Sequence, residues 1–261
     1  MSLARWDHNR HYHGFLLEQV PPRAEKALDV GCGAGRLARA LAARGLAVDA
    51  LDRSAQMIEL ARALDPKAVG NIGRDDGADV QGRVRYLVGD VLNSPQRWQP
   101  SGGYDVVTCV ACLHHLPTRT GLLRLRGLVA PGGLLAVVGL YRTTTPGDHA
   151  LAAVTIPADL TVRCLVTLRN CLVPPRGGGG NAGAGGEANQ GDPEGIPGAP
   201  PSWMPTARAT AGLPEIRRLA AEHLPGARIR RRLFWRYTLL WRPLSEPTGS
   251  RTGGTPEAPG T

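Results

Sequence analysis

Short apolar runs alternate with helix-periodic stretches between Lys26 and Arg142. Five runs have the length and composition of buried strands, namely KALDV, LAVDALD, RVRYLV, YDVVTCV and LLAVVGLY. After the first run, Leu37 and Leu41 lie at helical spacing, and Ser54 is placed to cap a helix after the second. Such alternation is typical of βαβ units, whose parallel strands need crossover helices. The pattern predicts an α/β fold with a mostly parallel sheet.

Both ends of this region carry further elements. Residues 5–19 have aromatic and aliphatic side chains at helical intervals, which predicts a helix in front of the first strand. After the fifth strand, residues 149–173 also have helical periodicity, with Pro157 placed to break it. A further helix over 210–223 and two strands, ARIRRRLFW and RYTLLWRP, are predicted near the C-terminus.

Two stretches lack the large apolar side chains that would offset the entropy of ordering them. Residues 174–202 are rich in glycine and proline, and residues 244–261 are polar. We expect both to be disordered. The remaining chain is of a size that supports one core, so a single domain over 1–243 is predicted.

The net charge of +9 changes this picture little, because Lys26 and Lys67 are the only lysines and alanine and glycine are also abundant. That composition indicates a coding bias towards arginine. The densest cluster, Arg228 and 230–232, lies on a strand-like segment and is interpreted as a solvated strand face. The alternative is a nucleic-acid footprint.

No apolar run reaches the about 18 residues that a membrane-spanning helix needs, and the N-terminus does not have the pattern of a secretory signal. We therefore expect a cytoplasmic protein without a membrane span. The five cysteines are interpreted as reduced packing thiols. Cys109 and Cys112 are expected on opposite faces of a strand, because side chains alternate along it. The N-terminal histidines lack further ligands nearby, so no metal site is predicted.

Candidate chemistry concentrates at the end of the first strand, in the segment LDVGCGAGRLARAL. It places Asp29 and the glycines 31, 33 and 35 where a strand ends and a helix begins. Glycines there let the backbone approach a ligand and leave helix N–H groups pointing at it. The spacing is G-x-G-x-G, and Arg36 stands where a dinucleotide-binding motif would have its last glycine.

Further signatures follow in a fixed order. They are LDRS at 51–54, GDV at 89–91, YDVV at 104–107, CLHHLP at 112–117 and LVAPGGLL at 128–135. Together with the glycine motif, this set resembles the class I S-adenosylmethionine-dependent methyltransferases, especially the small-molecule branch similar to ubiquinone/menaquinone-type enzymes. The resemblance covers about residues 6–142. It implies a Rossmann-like fold with a mostly parallel seven-stranded sheet, helices on both faces and an antiparallel strand near the C-terminus.

The resemblance implies S-adenosyl-L-methionine as cofactor. Gly31 and Gly33 would lie close to its methionine portion, and Asp29 near its ammonium and sulfonium end. Asp52 would accept hydrogen bonds from both ribose hydroxyls, and Asp90 would meet the adenine amino group. The other expected cofactor contacts are Gly35, Arg53, Met57, Val91 and Val110. Helix capping or surface exposure is the alternative for the carboxylates Asp29 and Asp52, and core packing is the alternative for Met57.

Two histidines, His114 and His115, follow the fourth strand, where sites of this fold open. If the nucleophile carries a proton, His115 is the candidate that removes it or orients the acceptor. The alternative is that one histidine packs and the other bonds to backbone. The resemblance also implies that the helix within residues 1–20 and the segment 143–173 cover the cofactor and shape the acceptor pocket, which would exclude water. Candidate acceptor contacts are His8, Tyr12, Tyr141 and His149.

The absence of certain motifs narrows the class of molecule that could accept the methyl group. After the fourth strand the chain lacks the N-P-P-Y-like pattern of amino-methylating nucleic-acid enzymes, and a Pro-Cys nucleophile is absent. No glutamate occurs between Glu59 and Glu187, so the glutamate pair of protein arginine methyltransferases is missing. A small-molecule acceptor with an O, N or C nucleophile is favoured. The alternatives are an RNA-directed methyltransferase and a methyltransferase-like protein without transfer activity. No particular oligomeric state is predicted.

Overall fold

The computed structural model describes residues 8–66, 83–93, 100–145, 209–233 and 235–243. The helices are α1 (His8–Glu18), α2 (Arg36–Ala42), α3 (Ala55–Ala63), α4 (Thr118–Arg126) and α5 (Leu213–His223). The strands are β1 (Lys26–Val30), β2 (Ala47–Asp52), β3 (Val84–Val88), β4 (Tyr104–Val110), β5 (Val129–Leu140), β6 (Arg228–Arg232) and β7 (Arg236–Trp241). A 3₁₀ turn, Leu113–His115, follows β4.

The seven strands form one sheet in the order β3-β2-β1-β4-β5-β7-β6. Strands β1 to β5 are parallel to one another, and β7 is antiparallel to both β5 and β6. The strand order reverses between β1 and β4, and a crevice opens outside the carboxyl ends of strands at such a reversal. The Rossmann-like sheet and its antiparallel strand near the C-terminus are therefore confirmed.

The central strands are buried on both faces, as parallel strands covered by helices require. One core cluster includes Leu28, Val107 and Leu135 together with residues of α4 and α5. The other includes Ala27 and Val106 together with residues of α1, α2 and α3. Helices thus cover both faces of the sheet, as the resemblance implies.

Strand β5 begins earlier than the apolar run LLAVVGLY suggests. It starts at Val129, and its register against β4 shifts between Tyr104 and Val106. Gly132 has a left-handed φ of 74° within this stretch. The irregular pairing explains the difference, because the sequence PGG belongs to a distorted strand start rather than to a separate turn.

Helix α1 is fixed against the C-terminal hairpin formed by β6 and β7. Its Tyr12 and Leu16 are buried, with 7% and 2% of their surface exposed. The Tyr12 hydroxyl donates to the carbonyl of Leu233 at 3.4 Å, and the guanidinium of Arg232 lies 4.9 Å from the ring centre of Phe15. Residues far apart in the chain are therefore joined beside the carboxyl edge of the sheet.

Arg142, which follows β5, lies next to Ala211 and Gly212, which precede α5. The Arg142 N–H donates to the Ala211 carbonyl at 2.9 Å, and Arg142 forms a parallel bridge with Gly212. The predicted segments 174–202 and 244–261, and most of 143–173, lie outside the described residues. Within the part of the chain that is described, no helix is long and apolar enough to cross a bilayer.

Candidate functional site

A cavity of about 340 Å³ opens at the carboxyl ends of β1, β2 and β4. Pockets of about 300–1,000 Å³ are typical of small-molecule sites. Ten residues that the sequence proposes for cofactor or catalysis line it: Asp29, Gly31, Gly33, Asp52, Arg53, Met57, Asp90, Val91, Val110 and His115. Elements that are distant in the chain thus bring the signature residues to one place.

The turn at residues 31–35, the glycine turn below, is held by backbone hydrogen bonds. The N–H groups of Gly31 and Cys32 donate to the carbonyl of Leu51 at 2.8 and 3.1 Å. Gly31 has a φ of 70°, and a Cβ atom there would lie 2.5 Å from the Cβ and Sγ atoms of Cys112. Both the left-handed backbone and the close approach of Cys112 therefore require glycine at position 31.

Gly35 serves a different purpose from the one expected. It lies outside the cavity lining and caps the N-terminus of α2 with a φ of 71°. A Cβ atom there would lie 2.7 Å from the ring of Tyr86. Tyr86 in turn donates to the buried carboxylate of Asp65 at 2.9 Å. This glycine therefore makes room for a packed tyrosine behind the turn, and a cofactor contact at Gly35 stays a prediction.

Asp52, at the end of β2, connects the glycine turn to the next helix. Its Oδ2 atom accepts the Gly33 N–H and its Oδ1 atom the Ser54 N–H, both at 2.9 Å. The Ser54 hydroxyl then accepts the Met57 N–H at 3.3 Å and caps α3, as its sequence context predicts. Each carboxylate oxygen has a second lone pair. Asp52 can therefore shape the turn and still accept hydrogen bonds from a ligand.

Asp29 is nearly enclosed, with 2% of its surface exposed. The Thr108 hydroxyl donates to its Oδ1 atom at 2.7 Å. Burial raises the pKa of Asp29 to about 6, and the nearby charge of Asp52 acts in the same direction, while hydrogen bonds from Thr108 and Ala38 oppose the shift. An uncompensated carboxylate is costly in such a place. A ligand cation beside Asp29 would stabilise its charged form.

The opposite part of the cavity is formed by the end of β3 and the start of α3. Asp90 accepts the Leu92 N–H on its Oδ1 atom at 2.8 Å, which orients the carboxylate. Val91 and Met57 line the cavity although only 4% and 6% of their surfaces are exposed. The Met57 Cε atom lies 3.3 Å from where a Cβ of Gly33 would be. A flat apolar group with a polar edge would match this wall.

The two histidines occupy different positions. His115 lines the cavity, whereas His114 lies outside its lining, and their ring centres are 4.2 Å apart. Burial lowers the pKa of His115, and the charge of Arg53 lowers it further, opposed by Asp52. Burial lowers the pKa of His114 to about 4, with additional effects of His115 and Arg236. Both imidazoles are thus neutral at pH 7.

His114 also has a buried Nδ1 atom without a hydrogen-bond partner in the described part of the chain. This environment fits the alternative from the sequence in which one of the two histidines packs, and a catalytic role of either histidine stays a prediction. His115, by contrast, donates its backbone N–H to the carbonyl of Cys112 at 2.9 Å and keeps its ring towards the cavity.

The thiols of Cys109 and Cys112 meet, which corrects the expectation that they lie on opposite faces. Strand β4 ends at Val110, and Ala111 adopts a left-handed φ of 49°. This turn breaks the alternation of side chains and returns Cys112 towards Cys109. The neighbouring Cys112 thiol and then burial raise the pKa of Cys109. Cys32, Cys109 and Cys112 are free thiols, and Cys32 and Cys112 line the cavity.

Of the four expected acceptor contacts, the structure describes the side chains of Tyr12 and Tyr141, and neither lines the cavity. Tyr12 and Tyr141 are buried, with 7% and 3% of their surfaces exposed, and both lie outside the cavity lining. Burial raises the pKa of Tyr12, and the Tyr141 N–H donates to the Trp235 carbonyl at 3.1 Å. His8 falls in α1, and only its place in the helix is described. His149 lies outside the described residues.

Sequence reasoning missed several residues that line the cavity, notably His13, Arg36, Cys112 and Leu116. His13 is the neighbour of Tyr12 in α1, and helical periodicity alone did not tell which of the two faces the cavity. Arg36 is the first residue of α2, beside the glycine turn, and this position was itself a signal. In the described ranges, no three His, Cys, Asp or Glu side chains are grouped as metal ligands.

Comparisons with known proteins agree with this architecture. A family model described as a methyltransferase domain matches residues 28–137. An uncharacterized methyltransferase of Mycobacterium tuberculosis (strain H37Rv) is 34% identical over 238 residues, covering 91% of this chain and 96% of the relative. A ubiquinone biosynthesis O-methyltransferase of Xanthomonas axonopodis pv. citri is 32% identical over 141 residues, covering 54% of this chain and 52% of the relative.

Solved structures include similar chains. The crystal structure of magnesium protoporphyrin IX methyltransferase from Synechocystis PCC 6803 with bound SAH has a TM-score of 0.49 and 17% identity, covering 90% of this chain and 81% of that one.

Proposed function

Because the chain belongs to the S-adenosylmethionine-dependent methyltransferase family, we propose that it binds S-adenosylmethionine in the cavity beside the glycine turn and methylates a small-molecule acceptor. One observation carries the proposal. The Asp52 carboxylate holds the N–H groups of Gly33 and Ser54 at the carboxyl end of β2 and still has lone pairs facing the cavity.

The charges along the cavity fit the parts of this cofactor. We assign the ribose hydroxyls to Asp52 and the adenine amino group to Asp90, with Val91 and Met57 against the ring. The cofactor's ammonium group suits Asp29, whose buried carboxylate has no cationic partner among the side chains that the structure describes. Arg36 lines the cavity at the N-terminus of α2, so its guanidinium and the helix N–H groups suit the cofactor's carboxylate.

When bound, the cofactor supplies an electrophilic methyl group on a cationic sulfonium. The chain's own part is to hold the acceptor in line with that group and to exclude water. Cys112, Leu116 and His13 form the part of the lining suited to this task. They come from two elements, the turn after β4 and helix α1.

His115 is proposed as the proton acceptor. Its pKa is lowered, so at neutral pH its ring is uncharged and can accept a proton from a hydroxyl or an ammonium group. His114 stands outside the cavity lining and is proposed to support the orientation of His115 through the contact of their rings.

Calorimetry with S-adenosylmethionine, its demethylated product and NADH tests the cofactor assignment. We expect micromolar binding of the first two, unaffected by chelator, and no binding of NADH. Binding of NADH alone would overturn the assignment.

Incubation with a cofactor labelled in its methyl group and with fractionated metabolites tests transfer. We expect label in a small-molecule fraction. Label in RNA would instead support an RNA-directed enzyme, and an intact cofactor in every fraction would support a binding protein without transfer activity.

A further inference from the structure

The turn between β6 and β7 presents two large apolar side chains to solvent. Leu233 is 51% exposed and Trp235 is 38% exposed. We call these two residues the hairpin tip. Trp235 has a left-handed φ of 55°, which is uncommon for a residue with a bulky side chain. Two exposed apolar side chains, one on each side of Phe234 in the sequence, are a feature that the methyl-transfer site does not use.

The hairpin tip is held firmly in this position. The Leu233 carbonyl accepts from the Tyr12 hydroxyl at 3.4 Å, and the Trp235 carbonyl accepts from the Tyr141 N–H at 3.1 Å. Both donors are buried residues of other elements. The backbone of the tip is therefore anchored on each side of the turn, and the two side chains are displayed rather than folded back.

The tip lies at the same edge of the sheet as the cavity. Arg236, next to Trp235, pairs with Leu140 at the carboxyl end of β5, and the cavity opens at the carboxyl ends of β1, β2 and β4. Because β6 runs parallel to β5, its last residue, Arg232, ends at that edge as well. A surface that met the hairpin tip would therefore also face the side of the molecule on which the cavity opens.

The surroundings of the tip are strongly basic. Between residues 224 and 243 the sequence has six arginines and no acidic residue. Arg228 and Arg230 are exposed on the edge strand β6. Arg232 covers the ring of Phe15 and donates to the Thr238 hydroxyl at 3.2 Å, so its stem is fixed beside the tip. The hairpin tip thus presents two apolar side chains with arginines beside them.

We propose that the β6–β7 hairpin docks the protein on the surface of an anionic phospholipid bilayer, with Leu233 and Trp235 inserted at the boundary between headgroups and acyl chains. Arginine attracts anionic headgroups, tryptophan favours the membrane interface, and leucine gains from contact with acyl chains. A nucleic acid would satisfy the arginines and could stack on Trp235, but it offers Leu233 little. An exposed aliphatic side chain beside several arginines therefore favours a bilayer over a nucleic acid.

Flotation of the full chain with two kinds of vesicle tests the proposal. One kind contains phosphatidylcholine alone, and the other contains equal parts of phosphatidylcholine and phosphatidylglycerol. We expect binding to the mixed vesicles that weakens as salt is raised, and much weaker binding to the neutral ones. The double variant Leu233→Ser/Trp235→Ser should bind the mixed vesicles at least about tenfold more weakly.

Two control variants, Leu123→Ser and Arg217→Gln, are each matched to a substitution in the hairpin and show whether the position of the change matters. Leu123→Ser replaces a leucine of α4 that is 41% exposed, and it should leave vesicle binding unchanged. Arg230→Gln should weaken binding about fivefold, whereas Arg217→Gln, on α5, removes the same charge and should have little effect. Melting temperature and cofactor affinity, measured on every variant, separate docking from folding and from the methyl-transfer proposal.

Quenching of tryptophan fluorescence by lipids brominated on their acyl chains gives a second readout on the unaltered hairpin. We expect quenching with the native chain and its loss in Trp235→Phe. Binding that is equal for both kinds of vesicle, absence of quenching, or association with an RNA oligomer and not with vesicles would each overturn the proposal.

Discussion

The glycine-turn side of the cavity and the side next to the β6–β7 hairpin differ in what holds them in place. The first is local: Gly31 and Gly33 follow β1, and they are joined to the end of the adjacent β2 by the Gly31 bond to the Leu51 carbonyl and the Gly33 bond to the Asp52 carboxylate. The second is assembled from distant parts of the chain, for example by the bond from Tyr12 to Leu233. The second is also basic, whereas the first has the carboxylates of Asp29 and Asp52.

This difference separates the recognition of one fixed ligand, on the glycine-turn side, from a wall whose shape can vary, on the hairpin side. A turn built from backbone atoms can recognise the same ligand whatever side chains surround it. A wall built from side chains of several elements can change its shape by substitution without disturbing that turn. His115 lies close to the first side, since it lines the cavity and its pKa responds to Arg53 and Asp52 at the end of β2. The predictions below test this division.

The largest effect is expected for His115→Gln. If His115 removes a proton, turnover should fall about 10²–10⁴-fold while cofactor affinity stays the same. His114→Gln is the control, because its ring contacts His115 but lies outside the cavity lining, and it should reduce turnover less. The neutral form of His115 should persist below its ordinary pKa, so native turnover should decline only at a pH under 6.5. Equal turnover of native protein and His115→Gln would remove the histidine from the mechanism.

The rigidity of the glycine turn is tested by Gly31→Ala. Its Cβ would lie 2.5 Å from Cys112 and its φ is 70°, so strain and overpacking of about 3 kcal/mol should weaken cofactor binding about a hundredfold. Gly45→Ala is matched in backbone, with a φ of 91° and no atom near its Cβ position. It should cost only the backbone strain in thermal unfolding and leave calorimetric cofactor affinity intact. Similar affinities in the two variants would show that the turn tolerates adjustment.

The two roles of Asp52 can be separated with a second aspartate. Asp105 also accepts two backbone N–H groups, from Glu25 and Lys26 at 2.8 and 2.9 Å, but at the opposite end of β1. Both Asp52→Ala and Asp105→Ala should lower the melting temperature. Asp52→Ala alone should weaken cofactor binding, at least tenfold, because each charge-assisted hydrogen bond contributes about 1.5–3 kcal/mol. An unchanged affinity of Asp52→Ala would place the ribose elsewhere.

Asp29 should make cofactor affinity depend on pH. Its pKa is raised to about 6, so below that value the neutral form cannot attract the ammonium group. Affinity measured by calorimetry should therefore be about tenfold weaker at about pH 5 than at pH 7. In Asp29→Asn the affinity should be uniformly low across this range. A native affinity independent of pH would mean that Asp29 does not meet the cation.

The same raised pKa has an effect of opposite sign on stability. The native state favours the protonated carboxyl, so this contribution is complete below the unfolded pKa of 3.8 and is lost as pH rises through about 6. The protein without cofactor should gain thermal stability at neutral pH when Asp29 is replaced by asparagine.

The smallest effect is expected from the segment richest in glycine. Replacing residues 176–200 with a short flexible linker should change neither melting temperature nor cofactor affinity, because its composition offers little apolar surface to bury. Loss of soluble protein on this replacement would contradict the prediction of disorder.

The local side of the molecule could be predicted from the sequence and the assembled side could not. The run from Asp29 to Gly33, the cap at Ser54 and the carboxylate of Asp52 follow from motifs within a few residues of each other. Gly35 shows the limit of such reasoning, because the packing of Tyr86 against it depends on a distant strand.

Two errors of the sequence analysis have separate physical causes. The choice between Tyr12 and His13 depends on the rotation of α1, which the hairpin fixes from the other end of the chain. The meeting of Cys109 and Cys112 depends on the left-handed turn at Ala111, a residue type that gives no signal for such a conformation. Local periodicity carries no information on either.

The bond between Arg142 and Ala211 has a consequence for how such a chain can change. It holds Arg142 and Ala211 side by side next to the sheet, so the stretch of chain that joins them starts and ends at the same place. A stretch whose ends are already closed can grow or shrink at little cost, about 0.6 kcal/mol for each doubling of its length. We therefore expect that grafting a relative's stretch between these two positions leaves the melting temperature and the cofactor affinity as they are, and changes the choice of acceptor if this stretch shapes the acceptor pocket.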